Sequence, residues 1–118
     1  MVSLETQLFT LLQAVCPRTF PDFAPTTTAR PYVTYQQIGG VAVNHLDRLV
    51  PNKRNALVQV NVWSDTRAEA SALIQSIEDA LRMTTVFQAE PQNAPHTSFD
   101  ADIPVYAAIQ DFDIWADR

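Results

Sequence analysis

Glycine and cysteine are scarce in this chain, and their scarcity excludes several kinds of binding motif and cross-link. Its 118 residues include two glycines, Gly39 and Gly40, and a single cysteine, Cys16. A glycine-rich phosphate-binding loop needs more glycine than this, so the common nucleotide-binding motifs are absent. One cysteine cannot form an intrachain disulfide, which is compatible with a reducing cytoplasm. We interpret Cys16 as a small apolar residue near the end of the first predicted helix.

Long apolar runs and a basic surplus are also missing. No apolar segment approaches the roughly 20 residues needed to span a membrane. Residues 1–5 lack the basic start and the apolar run of a signal peptide. The net charge is −5, whereas a generic nucleic-acid binder is expected to be basic. We therefore expect a protein made in the cytoplasm, with no membrane partner and no direct nucleic-acid partner.

Side chains that carry catalysis or bind metals are few and scattered. His45 and Asp47, with Cys16, supply the residue types of a nucleophile, a base and an orienting acid, but no catalytic cysteine signature surrounds Cys16. The two histidines and the cysteine lack the paired spacing of zinc ligands. Asp100 and Asp102 lie in a polar segment that we interpret as a solvated acidic loop. We expect no enzymatic activity, no metal and no cofactor.

Hydrophobic periodicity predicts two helices and four strands. The first helix follows a Ser3 N-cap, and the second follows Thr66 and Glu69, which match a capping box. Ser64 or Asp65 is an alternative cap for the second helix. Proline-rich residues 17–31 predict an extended connector, and residues 91–104 predict a flexible loop. The first predicted helix begins after Ser3 and is ended by Pro17, and the second begins after its cap and includes Leu81 and Arg82. The predicted strands span 32–38, 56–63, 84–89 and 105–115.

The order of these elements, α-β-β-α-β-β, predicts an α+β fold. Two amphipathic helices and a sheet with one apolar face imply a two-layer sandwich, in which two helices cover one face of a four-stranded sheet. The chain length fits a single domain over residues 1–118. The sequence leaves open whether the sheet is mixed or wholly antiparallel.

Charged and aromatic residues indicate surfaces for association rather than for chemistry. The long connection 41–55 ends in a basic stretch, whereas the chain after Met83 carries six acids and one base. Opposite charges on separate patches join copies head to tail, and such contacts close into rings when the rotation permits. Tryptophans beside the wetter sheet face are typical interface anchors. The interface candidates are Arg48, Lys53, Arg54, Trp63, Asp111, Asp113 and Trp115.

These residues also have a simpler interpretation, which the sequence leaves open. The aspartates fit a solvated sheet face, and the tryptophans fit packing at the edge of the core.

Several segments, taken in order, resemble one phage protein family. After an N-terminal helix and a proline-bearing connector come residues 31–35 (PYVTY), 39–40 (GG), 58–64 (VQVNVWS), 67–70 (RAEA) and 111–115 (DFDIW). Their order and spacing are similar to the tail completion, or tail terminator, family of long-tailed phages, which includes the minor tail protein U type. The resemblance covers most of the chain.

What the resemblance implies is a structural role. Members of this family cap the growing tail tube, stop its polymerisation and provide the surface that docks onto the head connector, commonly as a hexameric ring. The expected partners are the tail tube protein, a head completion or connector protein and further copies of this chain. The expected place is the head-proximal end of the virion tail. No catalytic residue or cofactor comes with the family, and its contact positions vary.

Other hypotheses stay open beside this one. A head-completion or connector protein would differ from a tail terminator only in the partner that it binds. A small ligand-binding or regulatory α+β domain would need a concave apolar pocket with a few converging polar groups, and the sequence shows no sign of one.

Overall fold

The computed structural model describes residues 3–118, which form two helices and six strands. The elements in chain order are α1 (Leu4–Val15), β1 (Thr19–Pro21), β2 (Tyr32–Gly39), β3 (Lys53–Ser64), α2 (Arg67–Met83), β4 (Gln88–Pro91), β5 (His96–Asp100) and β6 (Val105–Asp117). Neither helix is long and apolar enough to cross a membrane.

Both helices begin where the sequence predicts. The Ser3 hydroxyl accepts a hydrogen bond from the N–H of Thr6, and the Thr66 hydroxyl accepts one from the N–H of Glu69 at 3.2 Å. The second half of the predicted capping box does not form. The Glu69 carboxylate accepts from the Ser64 hydroxyl, which in turn accepts from the N–H of Thr66 at 3.3 Å. Ser64 therefore stands between the Glu69 carboxylate and the N–H of Thr66, the two groups that a capping box would join directly.

The sheet differs from the one that the sequence predicts. It has six strands in the order β1-β2-β3-β6-β4, and β5 pairs with β6 as well. The four-stranded sheet and the element order α-β-β-α-β-β are therefore wrong, although the α+β class with two helices is correct. β1 lies in the predicted connector 17–31, and β5 lies in the predicted loop 91–104. β4 begins four residues later than predicted, at Gln88, because Thr84 caps the end of α2.

The two unexpected strands are short and lie at the edges of the sheet. β1 has three residues and pairs in parallel with β2, which makes the sheet mixed. Its Pro21 is tolerated because an edge strand needs only half of its backbone donors. All five residues of β5 are exposed, so β5 shows no alternation of buried and polar side chains. Pairing with a long neighbour, rather than composition, holds both strands in the sheet.

Strands β3 and β6 form the centre of the sheet. All twelve residues of β3 pair in antiparallel fashion with β6, from Lys53 opposite Asp117 to Ser64 opposite Tyr106. β2 pairs antiparallel with the other edge of β3. Since β4 is also antiparallel to β6, α2 connects two parallel strands, β3 and β4, that have β6 between them.

Both helices contribute to one core on one face of the sheet. Alternate residues of β3, namely Val58, Val60 and Val62, are buried against the helices, as the sequence predicts. Each buried Leu or Ile contributes on the order of 1.5–3 kcal/mol to folding. The opposite sheet face has no helix over it among residues 3–118, and its polar side chains are half-exposed. The helix residues buried in the core are Leu4, Leu8, Leu12, Ala70, Ile74, Ile77 and Leu81.

One polar pair lies at the boundary of this core. Gln110, on the core face of β6, is 1% exposed. Its Nε2 donates to Glu78 Oε1 at 2.6 Å and to the carbonyl of Asn93 at 2.9 Å. Glu78 also accepts from Arg82 Nε at 3.2 Å, one turn further along α2. The hydrogen bond from Gln110, more than Arg82, holds the pKa of Glu78 below its usual value despite desolvation.

This lowered pKa makes part of the stability sensitive to acid. A carboxyl whose pKa is lower in the folded state stabilises the fold above its unfolded pKa, and loses that contribution as the pH falls through the folded pKa. From about pH 5 downward, we expect the free energy of unfolding to fall more steeply for the wild type than for Glu78→Gln, which keeps an acceptor for Gln110. Urea titrations at each pH measure this. Asp79→Asn, at an exposed neighbour, should follow the wild type; parallel curves for wild type and Glu78→Gln would contradict the prediction.

Candidate functional site

The connection between β2 and β3, residues 40–52, exposes several large apolar side chains. We call this connection the arm. Leu46 is fully exposed, Val50 is 79% exposed, and Val41 and Leu49 are each 65% exposed. Single exposed apolar residues are ordinary, but several close together mark a surface that another molecule covers. The arm extends from the end of a molecule whose longest dimension is 53 Å.

The base of the arm is held firmly to the sheet. Asn55, the third residue of β3, is buried, and its Oδ1 accepts from the N–H of Val41 at 2.7 Å. Its Nδ2 donates to the Asp113 carboxylate and to the carbonyl of Ile114. On the other side of the base, the N–H of Arg118 donates to the carbonyl of Asn52 at 2.9 Å. Because a buried amide with all of these partners is costly to disrupt, the point where the arm leaves the sheet is fixed.

The tip of the arm, by contrast, makes only local hydrogen bonds. The N–H of Arg48 donates to the carbonyl of His45 at 3.2 Å, and the N–H of Leu49 donates to the Asp47 carboxylate at 3.3 Å. Arg48 adopts a left-handed backbone conformation with φ 63°. Within residues 3–118, no hydrogen bond joins residues 42–50 to the body of the molecule. A fixed base with an apolar, unsupported tip is suited to inserting into another molecule.

Most of the predicted interface residues lie near this arm. Arg48 is exposed at the tip. The sequence predicts that Lys53 and Arg54 lie in the loop, but they are the first two residues of β3. Asp113 and Trp115 lie near them on β6, where Trp115 pairs with Asn55 and is 37% exposed. The structure thus brings five of the seven candidates to one end of the sheet.

The other two candidates lie elsewhere. Asp111 is near the middle of β6, where its carboxylate accepts from the Asn93 side chain at 3.2 Å. Trp63 lies at the opposite end of β3, about 30 Å from Arg54 at the usual rise per residue. Its ring N–H donates to Thr34 Oγ1 at 3.1 Å, and its ring stacks on Tyr32 with centroids 6.2 Å apart. Trp63 therefore has its contacts within the molecule.

Charged side chains at the arm end of the sheet have hydrogen-bonding partners within the molecule. Lys53 forms an ion pair with Asp117, and Arg54 donates to Gln37 Oε1 at 3.0 Å. Asp113 accepts from Asn55. The basic and acidic groups thus lie side by side rather than on separate patches. Arg48 remains as a charge at the arm tip, beside the apolar side chains.

Those apolar side chains were not among the predicted interface residues. Val41, Leu46, Leu49 and Val50 fall within ten positions. The prediction for this loop followed its polar residues, although the four large aliphatic side chains were the stronger signal. Asn55 was likewise missed, because a polar residue at the start of a strand gives no sign of burial.

The concave surfaces offer little for a small ligand or a metal. One cleft of about 530 Å³ lies beside the arm end of the sheet, and Lys53, Arg82 and Trp115 are among its lining residues. Ligand sites are mostly apolar with a few converging polar groups, whereas charged and polar residues make up six of the eleven that line this cleft. Among residues 3–118, no three His, Cys, Asp or Glu side chains cluster as metal ligands.

One family comparison matches almost the whole chain. The family model described as Tail completion protein gp17 matches residues 5–117. The chain belongs to this phage tail completion family. The match begins in the first turn of α1 and ends at the last residue of β6, so it includes the arm and every strand. No curated protein matches the chain.

Membership confirms the resemblance seen in the sequence. It gives the protein a structural role in a phage tail and a place in the virion tail, in contact with other phage tail or head proteins. A structural family also argues against an enzyme.

The arm base depends on one glycine, and its neighbour provides a matched control. Gly40 has φ 144°, and a Cβ there would lie 2.7 Å from the carbonyl oxygen of Asn55, whereas a Cβ at Gly39 meets nothing within 4 Å. We expect Gly40→Ala to lower the free energy of unfolding by about 1–3 kcal/mol, and Gly39→Ala to change it by less than about 1 kcal/mol. Urea unfolding and hydrogen exchange at the Val41 amide measure both effects. Equal losses in the two variants would show that the base is not fixed here.

Proposed function

We propose that this protein caps the tail tube, ends its polymerisation and joins the tail to the head, as a ring of copies that in this family is commonly hexameric. It acts as one domain at the head-proximal end of the tail, after assembly in the cytoplasm of the bacterial host. The observation that carries the proposal is the arm, with its fixed base and exposed apolar tip. Membership of the tail completion family supports the same role.

The arm is evidence for a ring because the rest of its own molecule does not cover its apolar tip. Its tip lies beyond the hydrogen bonds of the base, and its apolar side chains are exposed. An arm of 13 residues that turns back on itself reaches on the order of 20 Å, far enough to contact a neighbouring subunit. When a projection on one copy meets a different surface on the next, the contact is heterologous and closes into a ring if the rotation permits.

The uncovered sheet face supplies the second surface of the proposed assembly. Asp111, Asp113 and Trp115 lie on this face of β6, and Trp63 lies on the same face of β3. These residues, with Arg48, Lys53 and Arg54, are the contacts that we propose for neighbouring copies, the tail tube protein and the head completion or connector protein. Half-exposed aromatic residues beside polar ones are typical of such interfaces.

Deleting this chain from a phage or prophage tests the role directly. We expect electron microscopy to show over-long tail tubes, or tails of uneven length that are unattached to filled heads. Supplying the wild-type chain in trans should restore normal particles. Free tails of normal length would move the role to the head connector. Intact infectious virions would contradict any structural role and favour a small ligand-binding domain.

Charge reversal tests whether the arm takes part in the ring. We expect Arg48→Glu and Arg54→Glu to weaken self-association by about 1–2 kcal/mol, because each places an acid in a contact that now holds a base. Sedimentation velocity over a range of concentrations measures the change. Arg67→Glu, at an exposed position in the first turn of α2 and far from the arm, is the control. Unchanged association of Arg48→Glu would remove the arm tip from the ring contact, and unchanged association of Arg54→Glu would remove the start of β3 from it.

A further inference from the structure

The outward side of α1 carries very little charge. Glu5 is the only charged residue among the 12 of α1, whereas the 17 residues of α2 include five. A helix that faces water normally presents charged residues on its outer side. Depletion of charge is instead characteristic of surfaces that become the centre of an interface. The composition of α1 therefore indicates that another molecule covers it.

A shallow apolar groove lies on this side of α1. Gln7, Thr10, Leu11 and Ala14 line it from the helix, and Val86 lines it from the connection between α2 and β4. Its volume is about 370 Å³, and none of these residues is charged. Val86 is 53% exposed. The groove is near the lower limit of roughly 300 Å³ for ligand pockets, so it suits one or two aliphatic side chains.

We propose that the groove of one copy receives the arm tip of the next copy, with Leu46 and Leu49 as the inserted side chains. This inference rests on the ring proposed above and names the contact that closes it. The same chain thus carries an apolar projection and an apolar recess, and neither is covered within the molecule. Projection and recess are different surfaces, so their contact is heterologous, as a ring requires.

Charge is compatible with a second copy as the occupant. The arm tip holds one acid and one base, Asp47 and Arg48, so it carries no net charge. The residues that line the groove are uncharged as well. Two surfaces without net charge can meet without adding to the repulsion between copies that each carry a net charge of −5.

Disulfide trapping between two differently tagged copies tests this contact. One copy carries Leu46→Cys in the arm tip, and the other carries Ala14→Cys in the groove. Cys16 stays in place because it is buried, and wild-type chains report any background from it. We expect a mixed dimer after mild oxidation of the assembled ring. Ser71→Cys is the matched control, since Ser71 lies in a concavity on the side of α2 that faces Pro95 and Thr97, and it should not cross-link to Leu46→Cys.

A substitution in the tip gives an independent measurement. Leu46 makes no contact that would hold the fold, because it is fully exposed. We expect Leu46→Asp to raise the dissociation constant of the ring at least about tenfold, and Thr27→Asp, at an exposed connector position outside both surfaces, to leave it unchanged. Circular dichroism confirms that both variants are folded.

The outcomes separate this inference from the function on which it rests. A ring that forms without the mixed dimer, and that Leu46→Asp does not weaken, overturns the arm-to-groove contact and leaves the ring intact. An intact ring of Leu46→Asp that no longer binds purified tail tubes also overturns it, because the tube is then the occupant. A chain that stays monomeric, both alone and on tail tubes, contradicts the ring itself.

Discussion

The full-length pairing of β3 with β6 is the constraint on which the rest of the structure depends. Its register places Asn55 opposite Trp115 and Lys53 opposite Asp117, so the start of β3 and the end of β6 form one end of the sheet. A slip of one residue would turn every side chain of a strand to the other face. Asp111 and Asp113 would then lie against the helices, where an unpaired carboxylate is costly. The apolar alternation of both strands thus fixes the charges on the uncovered face and the base of the arm together.

The arm shows how a buried polar residue can position an exposed segment. Asn55 bonds to one residue of the arm and two of β6, so folding of the sheet core also determines where the arm begins. Gly40 permits this because its backbone passes closer to Asn55 than any side chain would allow. The tip needs no such support if another molecule completes its contacts. Stability is therefore concentrated at the base, and exposed apolar surface is left at the tip.

Sequence patterns predict the parts of this fold that have a buried face. α1, α2, the centre of β3 and most of β6 repeat apolar residues at the spacing of their structure, and β2 is rich in β-branched and aromatic residues; each is found where expected. β1 and β5 have no such repeat, since edge strands take their conformation from a neighbour that is distant in sequence. The candidate site was predicted only in part, because contacts between residues distant in sequence are not visible in the sequence. Loop charges are visible in a sequence, whereas their pairing partners, such as Asp117 for Lys53, depend on register.

Pairing of the charges has a consequence for how such a protein assembles. Lys53 forms an ion pair with Asp117, while Arg54 and Asp113 bond to neutral amides, so this end of the sheet mixes both signs and offers no large patch of one charge to another copy. A net charge of −5 makes identical copies repel one another at long range. Association must then come from short-range burial of apolar surface, which screening by salt does not weaken. Repulsion at a distance and adhesion at the arm tip are together suited to a protein that should remain dispersed until a tail end brings its copies together.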